Sequence, residues 1–393
     1  MRMGCGRAAE KCEHTEEGLM TMKMLSALAI VGLSVVGLSV VGMSGASRDV
    51  PKFEPDPTWP KHLPNHWLLG QVSGVDVDSH DHIWVIHRPR TTDEHDNYLR
   101  DKTADCCAPA PPVLEFDQAG NLLQSWGGPG QGYDWPDIEH GVYVDHKDNV
   151  WLAGNGDKDT NLLKFSNSGK FLLQIGKHGK TGGSNDTENV NKAAGIAVYA
   201  PTNEVFVADG YGNRRVIVFD ADTGAYKRHW GAYGNKPDDA APFTRVYEGA
   251  GPPQFNTVHG IAVSNDGIVY VGDRVNNRIQ SFSLDGKFLK EVFIERKTSA
   301  RFGTGFGVAF SGDKQQRFFY VPDGTNKKVQ IVDRQSMEVV GFFGGYGGHG
   351  FGEFSHIHSI ATDAKGNVYL GEVDTGRRTY RWNYKGMSAV PNP

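Results

Sequence analysis

Cysteine is scarce, with four in 393 residues, and two of those, Cys5 and Cys12, precede an apolar segment. So few cannot staple a chain that is long enough to bury one large core or two ordinary ones unaided. A basic excess is missing too: 41 Lys and Arg face 46 Asp and Glu, for a formal net charge of −5. No cationic field is left for nucleic acid, and we expect no nucleic-acid partner. The stretches GGPGQG (127–132) and GGYGGHGFG (344–352) have glycine spacings like a dinucleotide loop, but no βαβ unit surrounds them.

The apolar segment runs from Met22 to Ser47, with Lys23 at its start and the small residues Ser44, Gly45 and Ala46 at its end. That order is the pattern of a secretory signal peptide. We expect residues 1–46 to be an N-terminal extension and signal, translation to start at Met22, and the mature protein to be secreted or periplasmic. Membrane contact is expected only if the segment stays uncleaved. Residues 47–65 read as a linker and residues 66–393 as the folded domain. That domain keeps Cys106 and Cys107, adjacent in sequence and compatible with a vicinal disulfide, two thiols or a soft metal.

What the sequence has in abundance is glycine, 50 residues, and a repeat. An alternating run, a polar turn and a second run recur six times: GVDVDSHDHIWVIHR from Gly74, HGVYVDHKDNVWLAGN from His140, AGIAVYAPTNEVFVADG from Ala194, HGIAVSNDGIVYVGDR from His259, FGVAFSGDKQQRFFYVPDG from Phe306 and HSIATDAKGNVYLGEV from His358. Five copies continue into a third and fourth strand, and the sixth stops after its third. The segment HWLLGQVS before Gly74 is expected to supply the missing strand. The fold class is therefore all-β, a six-bladed β-propeller of four-stranded blades closed by an N-terminal strand, an architecture that protects its sheet edges.

Aligned on the first strand, one position reads Ser73, His140, Ala194, His259, Phe306, His358 around the ring. Alternate blades thus place three imidazoles on the central channel, a three-histidine cup. Three neutral imidazoles with an open position match a catalytic Zn²⁺ site, and Cu or Fe accept the same donors. The links after the second strands should rise beside the cup, bringing Arg88, Tyr211 and Arg274 over it. Arginine suits a carboxylate, and a tyrosine beside a metal suits proton removal. Arg214, Arg215, Arg278 and Arg377 recur in the repeat and are expected to form blade-to-blade salt bridges. Residues 88–112 form a polar excursion of a length suited to a lid.

These stretches, GQVSGVDVD followed by HR, then HGVYVD, ADGYGNRRV, HGIAV with GDRVNNRIQ, and a last His before IATD, resemble NHL repeats and, from about Gly70 onward, the lyase domain of peptidylglycine α-amidating enzymes. The resemblance implies a zinc held by His140, His259 and His358, and catalytic or substrate-binding roles for Tyr211, Arg88 and Arg274. It implies a peptide substrate ending in α-hydroxyglycine, cleaved to an amide and glyoxylate. The family's structural calcium uses two carbonyls, matched by Val75 and Val142, and an aspartate that is Ser359 here, which argues against Ca²⁺. Where that family has methionine this chain has His356, which we assign to the substrate-binding wall.

We therefore expect a metal-dependent carbon–nitrogen lyase acting on a small molecule or peptide with a carboxylate. The general base would be Tyr211 and the anion clamps Arg88 and Arg274. The rival readings are a non-catalytic NHL propeller that binds a protein or peptide, and a copper or iron redox enzyme on the same histidines. A calcium-dependent lactonase-type propeller fits less well, because its axis should carry carboxylates and amides.

Overall fold

The computed structural model describes residues 49–388. The expected signal segment, with Cys5 and Cys12, lies outside the described residues. Among the described residues six four-stranded antiparallel sheets and one two-stranded sheet account for the strands, and the only helical elements are three single 3-10 turns. Each blade runs from an inner first strand to an outer fourth. The inner strands are Gln71–Val77, Glu139–Val144, Gly195–Tyr199, Val258–Val263, Ala309–Phe310 and Ile357–Thr362, for blades 1 to 6 in turn. Among the described residues, no helix is long and apolar enough to cross a membrane.

The ring closes differently from the expectation. The fourth strand of blade 6 is Val50–Pro55, paired antiparallel with Arg378–Ser388 from Val50↔Ser388 to Pro55↔Trp382. It lies within the stretch read as a linker. Pro51 and Pro55 disguise it in the sequence, yet proline is tolerated on an outermost strand because one edge needs no ladder donor. Phe53 fixes the register, its ring 4.6 Å from Phe343 and 5.3 Å from Tyr320. The segment expected to close the ring instead splits: Gln71–Ser73 open the inner strand of blade 1, and Trp67–Leu68 pair in parallel with Ala108–Pro109.

The turn between first and second strands explains the repeat's acidic residue. In blade 2 the Asp145 carboxylate accepts the Lys147 and Asn149 amides and the Trp151 indole at 2.9–3.0 Å. Asp78 and Asp363 repeat the motif with Trp84 and Tyr369. The aromatic thus buries its ring between blades while its polar atom is satisfied. Of the recurrent arginines, Arg377 of blade 6 does pair between blades, with Asp96 of the blade 1 excursion, and Arg214 donates to the Asp238 and Ala241 carbonyls, whereas Arg215 and Arg278 act within blades. Arg215 pairs with Asp209 and Arg278 with Asp273, each at 2.8 Å across the second and third strands. Their remaining donors hold the incoming connection, Arg215 on the Asn189 carbonyl and Arg278 on the Pro252 carbonyl, both at 2.7 Å.

Near the axis the inner strands crowd. A Cβ on Gly141 would lie 2.6 Å from the Ala194 carbonyl oxygen, and one on Gly195 2.9 Å from that of His259. Glycine after the cup position is therefore what lets neighbouring blades approach. Blade 6 carries Ser359 there and finds its space at Gly371, where an added Cβ would meet the Ser359 Oγ at 2.5 Å.

Candidate metal centre

The inner strands of blades 2, 4 and 6 each carry a register shift at the cup residue, between Glu139 and Gly141, Val258 and Gly260, and Ile357 and Ser359. His140, His259 and His358 are thus β-bulge residues. A bulge leaves its extra residue unpaired and re-aims it, here towards the axis. Blade 1 has the same shift at Ser73, without a ligating side chain.

The three imidazoles are buried and mutually perpendicular, with ring centroids 4.6–5.0 Å apart. Each Nδ1 meets a backbone carbonyl of the next blade: His140 that of Ala194 at 2.9 Å, His259 that of Phe306 at 2.5 Å, His358 that of Ser73 at 2.8 Å. A carbonyl only accepts, so each Nδ1 carries the hydrogen, and in the neutral ring each Nε2 is a lone pair. Two of these lone pairs, on His259 and His358, face each other at 3.1 Å. They cannot hydrogen-bond to one another, and a cation held between them would satisfy both. Burial drives all three pKa values well below the ordinary histidine value, helped at His140 by the Arg88 charge and at His259 by Arg274. Protonation is thereby disfavoured and metal ligation favoured. The residues fit a metal with nitrogen preference, and the carbonyl partners orient each ring as outer-shell groups of metal sites do.

Tyr211 and Arg274 lie where the sequence placed them. The Tyr211 hydroxyl is 3.1 Å from His140 Nε2 and accepts from Arg274 Nη1 at 2.9 Å. The Arg274 guanidinium lies against the rings of Phe306 and Tyr211, 5.0 and 5.1 Å from their centroids, and its buried Nε has no partner. Arg88 ends the second strand of blade 1. It donates to the Glu139 carbonyl and to Gln71 Oε1, both at 2.8 Å, so part of its fork is spent on the scaffold. His356 stands apart from the cup. Its Nδ1 is 2.5 Å from Asp374 Oδ2, and its Nε2 is buried without a partner.

Asp374, Phe302 and Phe306 were not read from the sequence as site residues. Phe306 was visible as the blade-5 member of the cup ring, but its use as carbonyl acceptor and as platform for Arg274 was not. The expected lid, residues 88–112, is pinned at both feet. His87 accepts the Gly70 amide and meets the Pro111 carbonyl, each at 3.0 Å, and Arg377 of blade 6 bonds Asp96 at 2.5 Å. Burial pushes His87 down to about 4, so the clamp is a neutral ring. Cys106 and Cys107 are joined as a vicinal disulfide in this segment.

Beneath the cup the inner strands enclose a cavity of about 230 Å³, lined by Val75, Val142 and a single carboxylate, Asp76. A structural calcium fits this cavity poorly. Ser359 Oγ has no partner and brings no charge, and Asp76 is pushed up to about 7 by burial while accepting the Val144 amide at 2.7 Å. Calcium asks for several hard oxygens with net negative charge.

Residues 255–282 match the NHL repeat family. The chain is 27% identical to a peptidylglycine α-amidating monooxygenase of Rattus norvegicus over 82% of its own length, which spans only 32% of that relative. It is 23% identical to a probable peptidyl-α-hydroxyglycine α-amidating lyase of Caenorhabditis elegans, covering 79% of this chain and 81% of that one. It is also 27% identical to the human NHL repeat-containing protein 3 over 58% of this chain and 56% of the relative. A streptogramin B lyase structure superposes with a TM-score of 0.51 at 12% identity, covering 86% of this chain and 98% of that one, a likeness of fold alone. The chain is thus a six-bladed propeller with an NHL repeat at residues 255–282, similar over most of its length to proteins named as amidating lyases, with a buried histidine triad able to hold a metal.

Proposed function

We propose that the protein is a secreted or periplasmic, zinc-dependent lyase that cleaves a carbon–nitrogen bond at a hydroxyl-bearing carbon next to a carboxylate, as in a peptide ending in α-hydroxyglycine. The observation that carries this reading is the pair of facing Nε2 lone pairs at 3.1 Å, with the Tyr211 hydroxyl 3.1 Å from the third imidazole. When bound, a divalent metal supplies Lewis acidity towards an oxygen of the substrate.

The chain's own groups supply the rest. Tyr211, held by a charge-assisted bond from Arg274, is placed to relay the proton, taking that of the substrate hydroxyl as its own passes to the departing amide nitrogen. As that O–H bond breaks, its oxygen closes to a carbonyl, the C–N bond breaks, and the departing amide nitrogen takes up a proton. The products are a primary amide and glyoxylate. Arg274, whose Nε is buried and free, and the charge of Arg88 offer the carboxylate its counter-ions. His356 walls the site beside Phe306, their ring centroids 5.5 Å apart.

The test is glyoxylate release from a hydroxyglycine-terminated peptide by metal-loaded protein, with Tyr211→Phe as control. Release that collapses in the variant supports the assignment. No release from fully loaded protein overturns it.

A further inference from the structure

Two connections on the blade 3–5 side of the cup face lean together. The blade 3–4 connection sends Arg245 to the Thr298 and Ala300 carbonyls at 2.9 and 3.2 Å, and the blade 4–5 connection returns Arg296 to the Gly249 carbonyl at 2.6 Å. These guanidiniums spend donors on neutral carbonyls and so keep their charge. Residues 240–252 and 296–304 carry Arg245, Arg296, Lys297 and Arg301 against Glu248 alone, a local excess of three positive charges in a chain of net charge −5. Among the described residues none of these four cations forms an ion pair, although Asp238, Asp239 and Glu295 border the strip.

The strip is also aromatic. Phe243, Tyr247 and Phe302 are 48%, 42% and 41% exposed, unusual for side chains of that size on an enzyme surface. Arg245 lies over Phe243 at 5.9 Å and Arg301 over Phe302 at 5.5 Å. Phe302 joins the strip to the site. Its ring is 5.7 Å from the Arg274 guanidinium and 5.5 Å from the His356 ring. An extended peptide advances about 3.3 Å per residue, so a chain whose carboxylate end lies at Arg274 reaches Phe302 within about two residues.

We propose that this strip is a subsite for the upstream part of a peptide substrate, taking an aromatic or large apolar side chain on Phe302 and acidic residues beyond it on Arg301 and its basic neighbours. This inference rests on the lyase reading and adds to it a substrate class: peptides acidic near their C-terminal end. Phe302 is a specificity-determining residue in this account, because a bound apolar side chain removes its exposed ring from water. A flat anionic lipid surface would also meet basic and aromatic groups, but continuity with Arg274 at the cup favours a peptide.

The test uses fluorescein-labelled, unreactive glycine-terminated peptides and the full metal-loaded protein, read by anisotropy at two salt concentrations. The expected order is Glu-Glu-Phe-Gly tighter than Lys-Lys-Phe-Gly by tenfold or more, with the gap shrinking as salt rises. Phe302→Ala should remove at least fivefold of the preference for Phe-Gly over Ala-Gly endings. Arg301→Gln/Lys297→Gln should reduce the acidic preference by a similar factor, with unchanged thermal melting as the control for folding. Equal binding of acidic and basic peptides overturns the proposal, as does binding to phosphatidylserine vesicles in place of peptide. Parallel glyoxylate assays on the hydroxyglycine analogues separate the two readings. Release without sequence preference sinks the strip alone, and preference without release sinks the lyase alone.

Discussion

His140, His259 and His358 on the axis, and Asp78, His82 and Glu115 near the first turn of blade 1, are both sets of three ligand-type side chains close enough to close on one ion. Their surroundings differ. Around Asp78 both carboxylates are already answered: the Asp78 oxygens accept two backbone amides and the Trp84 indole at 2.9 Å, and Glu115 is 2.7 Å from His82 Nδ1. In the cup, each ring has one nitrogen answered by a carbonyl; the Nε2 atoms of His259 and His358 then face each other with no hydrogen to share, and that of His140 meets the Tyr211 hydroxyl. Proximity of ligand types is common to both sets, and unsatisfied lone pairs mark only the cup. A binding site is identified here by what its donors still lack.

The largest effect should come from the one hydroxyl that touches the cup. Tyr211→Phe should lower glyoxylate release by roughly 10²–10⁴-fold, as loss of a general base does, with bound metal unchanged. Metal removal should then separate the two triads. Chelation should destabilise the wild type by about 4 kcal/mol at free metal a thousandfold above its dissociation constant, read as a fall in melting temperature. The same fall should appear in His82→Ala and be absent in His140→Ala/His259→Ala. If His82→Ala abolishes the response, the turn triad is the metal site.

Two carboxylates sharpen the contrast further. Asp76, in the cavity below the cup, is pushed up to about 7 by burial, whereas the ordinary carboxylate value is 3.8. A raised folded value means the folded state holds the proton more tightly, so stability is retained below pH 4 and lost as the pH rises from about 4 to 7. The full penalty approaches about 4 kcal/mol above pH 7. Asp76→Asn should therefore stabilise the protein at pH 8 and do little at pH 4, in denaturant melts at both pH values. Asp78→Ala is the smaller effect, a loss of about 1–3 kcal/mol from unmet amide and indole donors at any neutral pH, with metal content untouched.

The cup was legible in the sequence because repetition did the alignment. Six copies of one strand let His140, His259 and His358 be compared at a single position, and the links after the second strands carried Tyr211, Arg88 and Arg274 with them. The bulges that aim the histidines were not legible, since an extra residue at the start of a strand leaves the later alternation intact. Val50–Pro55 escaped because two prolines read as linker and its partner strand lies at the other end of the chain. Asp374 and Phe302 were missed for a related reason. Phe302 sits on the connection between blades 4 and 5, which the repeat does not constrain, and meets His356 only once the blades are assembled, while Asp374 lies on the link after the second strand of blade 6 and meets His356 only when that blade's first hairpin closes.

Elemental analysis of protein purified without chelator, before and after zinc reconstitution, tests the central claim most directly. The facing lone pairs predict one equivalent of metal per chain in the wild type and none in His140→Ala/His259→Ala. A correctly folded wild type that stays metal-free after reconstitution, or a double variant that keeps its equivalent, would contradict the account.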